Sequence, residues 1–195
     1  HDSRSVSVLL LLDLSESLND IVEATNQSIL ELSQEAVSLL AWSVEQLGDN
    51  FAIAGFNSNT REQVMYYHIK GYSERWDDTV KARLANLKAE YSTRMGAAIR
   101  HATHYLDLQK SDKKLMLILT DGEPSDVDVN DSEMLIKDTH KAVQECQQKG
   151  MYPYCISLDN KADDYISDVF GSHYSVIDKI ESLPKELPQL FLSLT

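Results

Sequence analysis

Val6 to Leu12 reads VSVLLLL, a nearly unbroken apolar run, and it stops abruptly at Asp13-Leu14-Ser15-Glu16-Ser17. A run of this length with β-branched residues at its start describes a strand buried on both faces, as in the middle of a parallel sheet. The stop carries a second message. Three oxygen-bearing side chains at alternate positions stand where the strand emerges, and in open α/β sheets ligands bind at that carboxyl end. One carboxylate and two hydroxyls offer hard oxygen and no soft ligand, a set suited to Mg²⁺ rather than to zinc or copper.

The remainder alternates helix and strand signals. Ser28-Ile29-Leu30-Glu31 has the spacing of a capping box. Leu30, Val37, Leu40, Val44 and Leu47 recur at helical spacing, and Gly48 fits a C-terminal stop. Phe51 to Phe56 (FAIAGF) predicts a second strand, closed by a polar turn at Asn57-Ser58-Asn59. Val64 to Ile69 alternates weakly and carries two tyrosines, as an antiparallel edge strand does. Asp77 to Leu87 predicts a short helix. Met95, Ile99, Ala102 and Leu106 form one helical face, which puts Thr93 at or just before a helix N-terminus, where capping is one role open to it.

Lys113 to Thr120 (KKLMLILT) is a second strongly buried strand and runs straight into Asp121-Gly122. Leu135, Thr139, Ala142, Val143 and Cys146 line a helix that Gly150 ends. Met151 to Leu158 and Tyr174 to Ile177 read as strands, and Ile180 to Leu194 as a helix that Pro184 and Pro188 should break. The alternation predicts an α/β fold: a Rossmann-like, doubly wound, mostly parallel sheet with one antiparallel edge strand and helices on both faces. With no linker or repeat, residues 1–195 are expected to form a single domain, and without an initiator Met the expectation is a piece excised from the C-terminal end of a longer protein.

A formal net charge of −13 argues against nucleic acid or an anionic membrane as partner and is compatible with a bound cation. No apolar run approaches the roughly 20 residues of a membrane span. Cys146 and Cys155 are too few for a disulfide framework and read as buried free thiols of a reducing cytosol. Neither a phosphate-cradling P-loop nor a G-x-S-x-G elbow is present. Phosphatases that begin with a similar strand and Asp carry a second Asp where this chain has Ser15. The acidic stretch Glu123, Asp126, Asp128, Asp131 lacks the spacing of an EF-hand loop and reads as solvated charge ahead of a helix. His101 and His104, three apart on a helix, could share a metal but have no third ligand in view. Tyr72 to Trp76 (YSERW) reads as cover for the end of the sheet, with a partner-binding patch as the alternative.

Asp13, Ser15 and Ser17, joined by Thr93 and Asp121 from two later loops, resemble in order and context the metal-ion-dependent adhesion site of von Willebrand factor A domains. The resemblance implies that Ser15, Ser17 and Thr93 touch the ion while Asp13 and Asp121 hold it through water. It implies Mg²⁺, or another divalent cation such as Mn²⁺ or Ca²⁺. Neutral hydroxyls leave much of the charge uncompensated, so one position stays attractive to a carboxylate of another protein. Asp13 and Ser15 are expected on a surface loop, where substitution costs within about ±0.5 kcal/mol.

LLLLDLSES, LLAW (39–42), FAIAGFNSN, STRMGAAIRHA (92–102), LTDGEPSDVDV (119–129) and YCISLD (154–159) together are similar to the C-terminal domain of the NorD/CbbO family. That resemblance implies a non-catalytic, cytoplasmic adaptor working with a MoxR-type AAA+ ATPase hexamer. In the CbbO branch the target is Rubisco, an acidic residue of which would be the sixth ligand. In the NorD branch it is the assembly or activation of nitric oxide reductase. The wording sits slightly closer to CbbO without separating the two, and a hydrolase using the Asp13 loop is a more distant alternative.

Overall fold

A computed structural model describes residues 4–60, 63–122, 132–159 and 163–195. Its centre is β1 (Val6–Asp13), buried along its whole length. Alternate side chains of β1 enter two different layers: Val6, Val8, Leu10 and Leu12 one, Leu9 and Leu11 the other. A short hairpin, β2 (Ile21–Val22) and β3 (Gln27–Ser28), leads into α1 (Ile29–Leu47). Then follow β4 (Asn50–Thr60), β5 (Gln63–Lys70), α2 (Asp78–Ala85), α3 (Met95–Asp107) and β6 (Lys113–Thr120). The chain continues through α4 (Ser132–Gln148), β7 (Tyr152–Ser157), α5 (Asp163–Phe170), β8 (Tyr174–Val176) and α6 (Leu183–Leu194).

Six strands make one sheet in the order β5-β4-β1-β6-β7-β8, with β5 antiparallel to β4 and every other pair parallel. Helices α1 and α6 cover one face; α3, α4 and α5 cover the other. The chain leaves β1 through α1 to β4 on one side and returns through α3 to β6 on the other. The carboxyl ends of β1 and β6 therefore flank the point where the winding reverses, the place where doubly wound sheets open a crevice.

Local chemistry explains most boundaries. Ser28 Oγ accepts the Glu31 N–H and the Glu31 carboxylate accepts the Ser28 N–H, both at 3.0 Å, so the capping box is complete. Gly48 ends α1 at φ +75°, a left-handed conformation that costs glycine little. The buried stripe of α1 is Ile29, Leu32, Ala36, Val37, Leu40, Ala41 and Val44; Leu30 is only partly buried and Leu47 is 37% exposed, against the sequence expectation. Small Ala36 and Ala41 let the helix lie close to the sheet.

Two other expectations are corrected. Asn57-Ser58-Asn59 is no turn: Asn57 and Ser58 stay in β4, paired with Met65 and Val64, and Ser58 also exchanges backbone bonds with Ser92. Nor does Pro188 break the last helix, because α6 runs through it. The proline forfeits about 3 kcal/mol, while Leu183, Leu187 and Phe191, spaced along one face and fully buried, are each worth roughly 1.5–3 kcal/mol. Helix α5, absent from the sequence reading, sends Ile166, Val169 and Phe170 into the α3–α4 layer.

Gly55 lets the site loop close. A Cβ there would lie 2.4 Å from Leu14 Cδ1, and Leu14 is a core residue set between Asp13 and Ser15. Gly55→Ala should lower stability by about 1–3 kcal/mol through overpacking. Urea denaturation checks this; an unchanged midpoint would show that Leu14 has room to move.

Candidate functional site

The site follows from strand register. Leu12 pairs with Leu119, so the next residues, Asp13 and Thr120, emerge side by side. Asp13 continues the Leu9–Leu11 face and Thr120 the Met116–Ile118 face, both on the α3 side of the sheet. Thr120 Oγ1 donates to Asp13 Oδ2 at 2.7 Å, and the Ser15 N–H donates to Oδ1 at 3.0 Å.

Thr93 reaches the same carboxylate from 80 residues away, its hydroxyl 3.1 and 3.2 Å from the two oxygens. It does not cap α3: Arg94 holds the cap position and makes no side-chain cap bond. The segment carrying Thr93 is pinned to the loop after β1 by backbone bonds from Glu16 N to Tyr91 O and from Glu90 N to Leu14 O, each 2.9 Å. Tyr91, at φ +64°, takes the left-handed turn that this path requires.

Ser17 Oγ donates to Asp121 Oδ1 at 3.0 Å. Its single proton is thereby used, so in the 3.2 Å contact between the two serine hydroxyls Ser15 is the donor. All five residues singled out by sequence thus converge. The expectation that Asp13 and Ser15 are surface residues is wrong, since they are 2% and 6% exposed. Strand β1 runs one residue further than its apolar run, and the pinned loop covers it.

Electrostatics set the chemistry. Burial pushes the Asp13 carboxyl above its ordinary range, against the pull of hydrogen bonds from Thr120, Ser15 and Thr93. Asp121 is pushed up to about 6, chiefly by burial and next by the negative charge of Asp13, with the Ser17 bond opposing. Two carboxylates confined in a partly dry pocket favour a cation between them. Among the described residues no group of three or more His, Cys, Asp or Glu side chains gathers. The remaining oxygens are hydroxyls, so the donor set fits a hard divalent ion and not zinc or copper.

Thr120 escaped the sequence reading, although its parity with Met116 and Ile118 is the signal that places it beside Asp13. Thr120→Val keeps the shape but removes a donor to a buried carboxylate, and should cost about 1.5–3 kcal/mol. A thermal melt indistinguishable from the parent would show that the bond is dispensable.

The other candidates fall elsewhere. His101 and His104 stand edge-on to Tyr105, with ring centres 5.2 and 5.6 Å away, in an aromatic cluster that also holds Tyr66 and His68. Tyr72 and Trp76 pack against the two core layers and serve as cover. Cys146 and Cys155 are free and buried, and burial pushes both thiols up. Glu123, Asp126, Asp128 and Asp131 lie outside the described residues. Among the described residues no helix is long and apolar enough to cross a membrane.

Residues 7–180 match the family model of the von Willebrand factor type A domain. The chain belongs to that family. Protein NorD of Stutzerimonas stutzeri is 36% identical over 175 residues, which cover 89% of this VWA domain and 28% of that protein. Protein NorD of Brucella melitensis is 35% identical over 190 residues, covering 97% of this chain and 30% of that one. The VWA domain thus spans less than a third of the length of these relatives. The PilB minor pilin from Streptococcus sanguinis superposes with a TM-score of 0.76 at 15% identity, covering 99% of this chain and 62% of that one, a likeness of fold alone.

Proposed function

We propose that this VWA domain is the ion-dependent, non-enzymatic recognition end of a NorD-type adaptor that works beside a MoxR-type AAA+ ATPase hexamer. The observation that supports it most is the placement of Thr93. Its hydroxyl faces both oxygens of a carboxylate 80 residues away, and the cap position of the helix it precedes is held by Arg94 instead. Ser15, Ser17 and Thr93 would touch Mg²⁺, or Mn²⁺ or Ca²⁺ in its place, and Asp13 and Asp121 would hold it through water. The bound ion would supply positive charge that neutral hydroxyls leave uncompensated, and so a place for a partner's carboxylate.

The chain's own residues do the rest. Thr120 and the Ser15 N–H fix the Asp13 carboxylate, which orients Thr93; Asp121 orients Ser17. Without a cation, Asp13 and Asp121 repel an incoming acid.

Relatives named NorD favour the NorD branch, for which the family resemblance implies assembly or activation of nitric oxide reductase as the target. Rubisco, offering an acidic residue as sixth ligand, is the second reading and rests on the wording of the sequence. The hydrolase alternative is weaker, because Ser15 stands where an aspartyl-phosphate enzyme needs an acid. The test is retention of purified nitric oxide reductase, and in parallel of Rubisco, on the immobilised domain with Mg²⁺ and with EDTA. Retention of the reductase only with Mg²⁺ is expected. Mg²⁺-dependent retention of Rubisco alone would move the protein to the other branch, and EDTA-insensitive results for both would end the ion-capture reading.

A further inference from the structure

Next to the ion site lies a cleft of about 240 Å³, lined by Leu14, Asn57, Tyr67, Leu87, Lys88 and Glu90 among others. We propose that it is a second contact of the same recognition surface and takes a bulky uncharged side chain, of leucine or aromatic size, a few residues along the partner chain from the captured carboxylate. The proposal rests on the ion-capture reading and adds the partner's neighbouring residue to it.

Position comes first. Leu14 stands between Asp13 and Ser15, and consecutive Cα atoms are about 3.8 Å apart. One wall of the cleft is therefore the site loop itself; the Leu14 side chain turns to the α1 layer, away from the Asp13 side of the sheet, so a chain that lays a carboxylate on the Ser15, Ser17 and Thr93 oxygens meets the cleft a few residues further along. Size comes next. Small-molecule sites run to roughly 300–1,000 Å³, so this cleft is small for a free metabolite and of the scale of one large side chain.

The lining then selects the occupant. Leu14 belongs to the core and Leu87 packs partly buried against it, which gives the cleft an apolar floor. Lys88 and Glu90 are exposed and contribute one charge of each sign, so no unbalanced charge is offered to a second acid or to a base. Apolar floor and polar rim are the anatomy of an anchor pocket at a protein interface.

The cleft is also preorganised. Leu14 is held from both sides, by its N–H on Phe56 O and by its carbonyl on Glu90 N, each at 2.9 Å. Tyr67 donates its hydroxyl to Asn57 Oδ1 at 3.2 Å, fixing the far wall. Little ordering would be needed on binding.

The probes are a heptapeptide with a central Asp among glycines and its six variants with one glycine replaced by Phe, each titrated into the isotope-labelled chain with Mg²⁺ and with EDTA. Phe at one or two positions should tighten the Mg²⁺-dependent binding about tenfold or more and shift the Leu14 and Leu87 resonances. That gain should disappear in both Leu87→Lys and Tyr67→Ala, while the all-glycine peptide binds the variants as it binds the parent. Two variants are used because Leu87 touches the core and Tyr67 lies nearer the surface. Equal binding of every peptide, or a Phe gain that survives both substitutions, would overturn the cleft assignment and leave ion capture standing. No Mg²⁺-dependent binding by any peptide would remove ion capture, and the cleft assignment with it.

Discussion

Asp13→Asn is expected to abolish the thermal stabilisation that Mg²⁺ confers while leaving the ion-free domain at least as stable as the parent. The side chain keeps its shape and an acceptor for the Ser15 N–H, and the Thr93 and Thr120 hydroxyls can turn to suit the amide. What disappears is a buried negative charge held near that of Asp121, which is a cost to the ion-free fold. For the parent, a ligand at a hundredfold excess over its Kd adds about 2.7 kcal/mol, or several degrees of melting temperature for a domain of this size. Asp13→Ala should behave differently. It strands two donors, the Ser15 N–H and the Thr93 hydroxyl, while the Thr120 hydroxyl can turn to the Gly122 carbonyl at 3.1 Å; an unpaired buried donor costs about 1–3 kcal/mol. Melts of the three proteins with Mg²⁺ and with EDTA separate the cases. An Asn variant that Mg²⁺ still stabilises would show that Asp13 acts only in packing.

Thr93→Val should cut Mg²⁺ affinity by about 10–100-fold or more, the range seen when the immediate surroundings of a metal site are altered. Partner binding at limiting Mg²⁺ should fall in proportion and recover as Mg²⁺ is raised. Rescue by Mg²⁺ distinguishes a lost ligand from a damaged fold, because Val fills the same volume and the segment stays pinned through Tyr91 and Ser92. Binding that stays low at every Mg²⁺ concentration, with a normal melt, would mean that Thr93 contacts the partner itself.

The two buried strands were legible because a parallel sheet covered on both faces leaves the middles of β1 and β6, Val8–Leu12 and Leu115–Leu119, apolar throughout. Their abrupt ends exposed Asp13 and Asp121 for the same reason. Thr93 was legible through the helical face that follows it and through the resemblance, but its hydrogen bonds to the Asp13 carboxylate, 80 residues away, were not. Other features were hidden because tertiary contacts decide them. Asn57 and Ser58 have turn chemistry, yet Met65 and Val64 opposite them complete the ladder. Pro188 has the chemistry of a helix breaker, yet Leu183, Leu187 and Phe191 outweigh it. The burial of Asp13 depends on a loop pinned by residues near 90, which no local pattern reveals.

The most direct test is a calorimetric titration of Mg²⁺ into the EDTA-treated, dialysed chain, alongside Asp121→Ala. The parent should bind one ion and the variant should bind it far more weakly or not at all, because Asp121 both holds Ser17 and supplies half of the site's negative charge. A parent that takes up no Mg²⁺, or a variant whose isotherm overlays the parent's, would contradict the account.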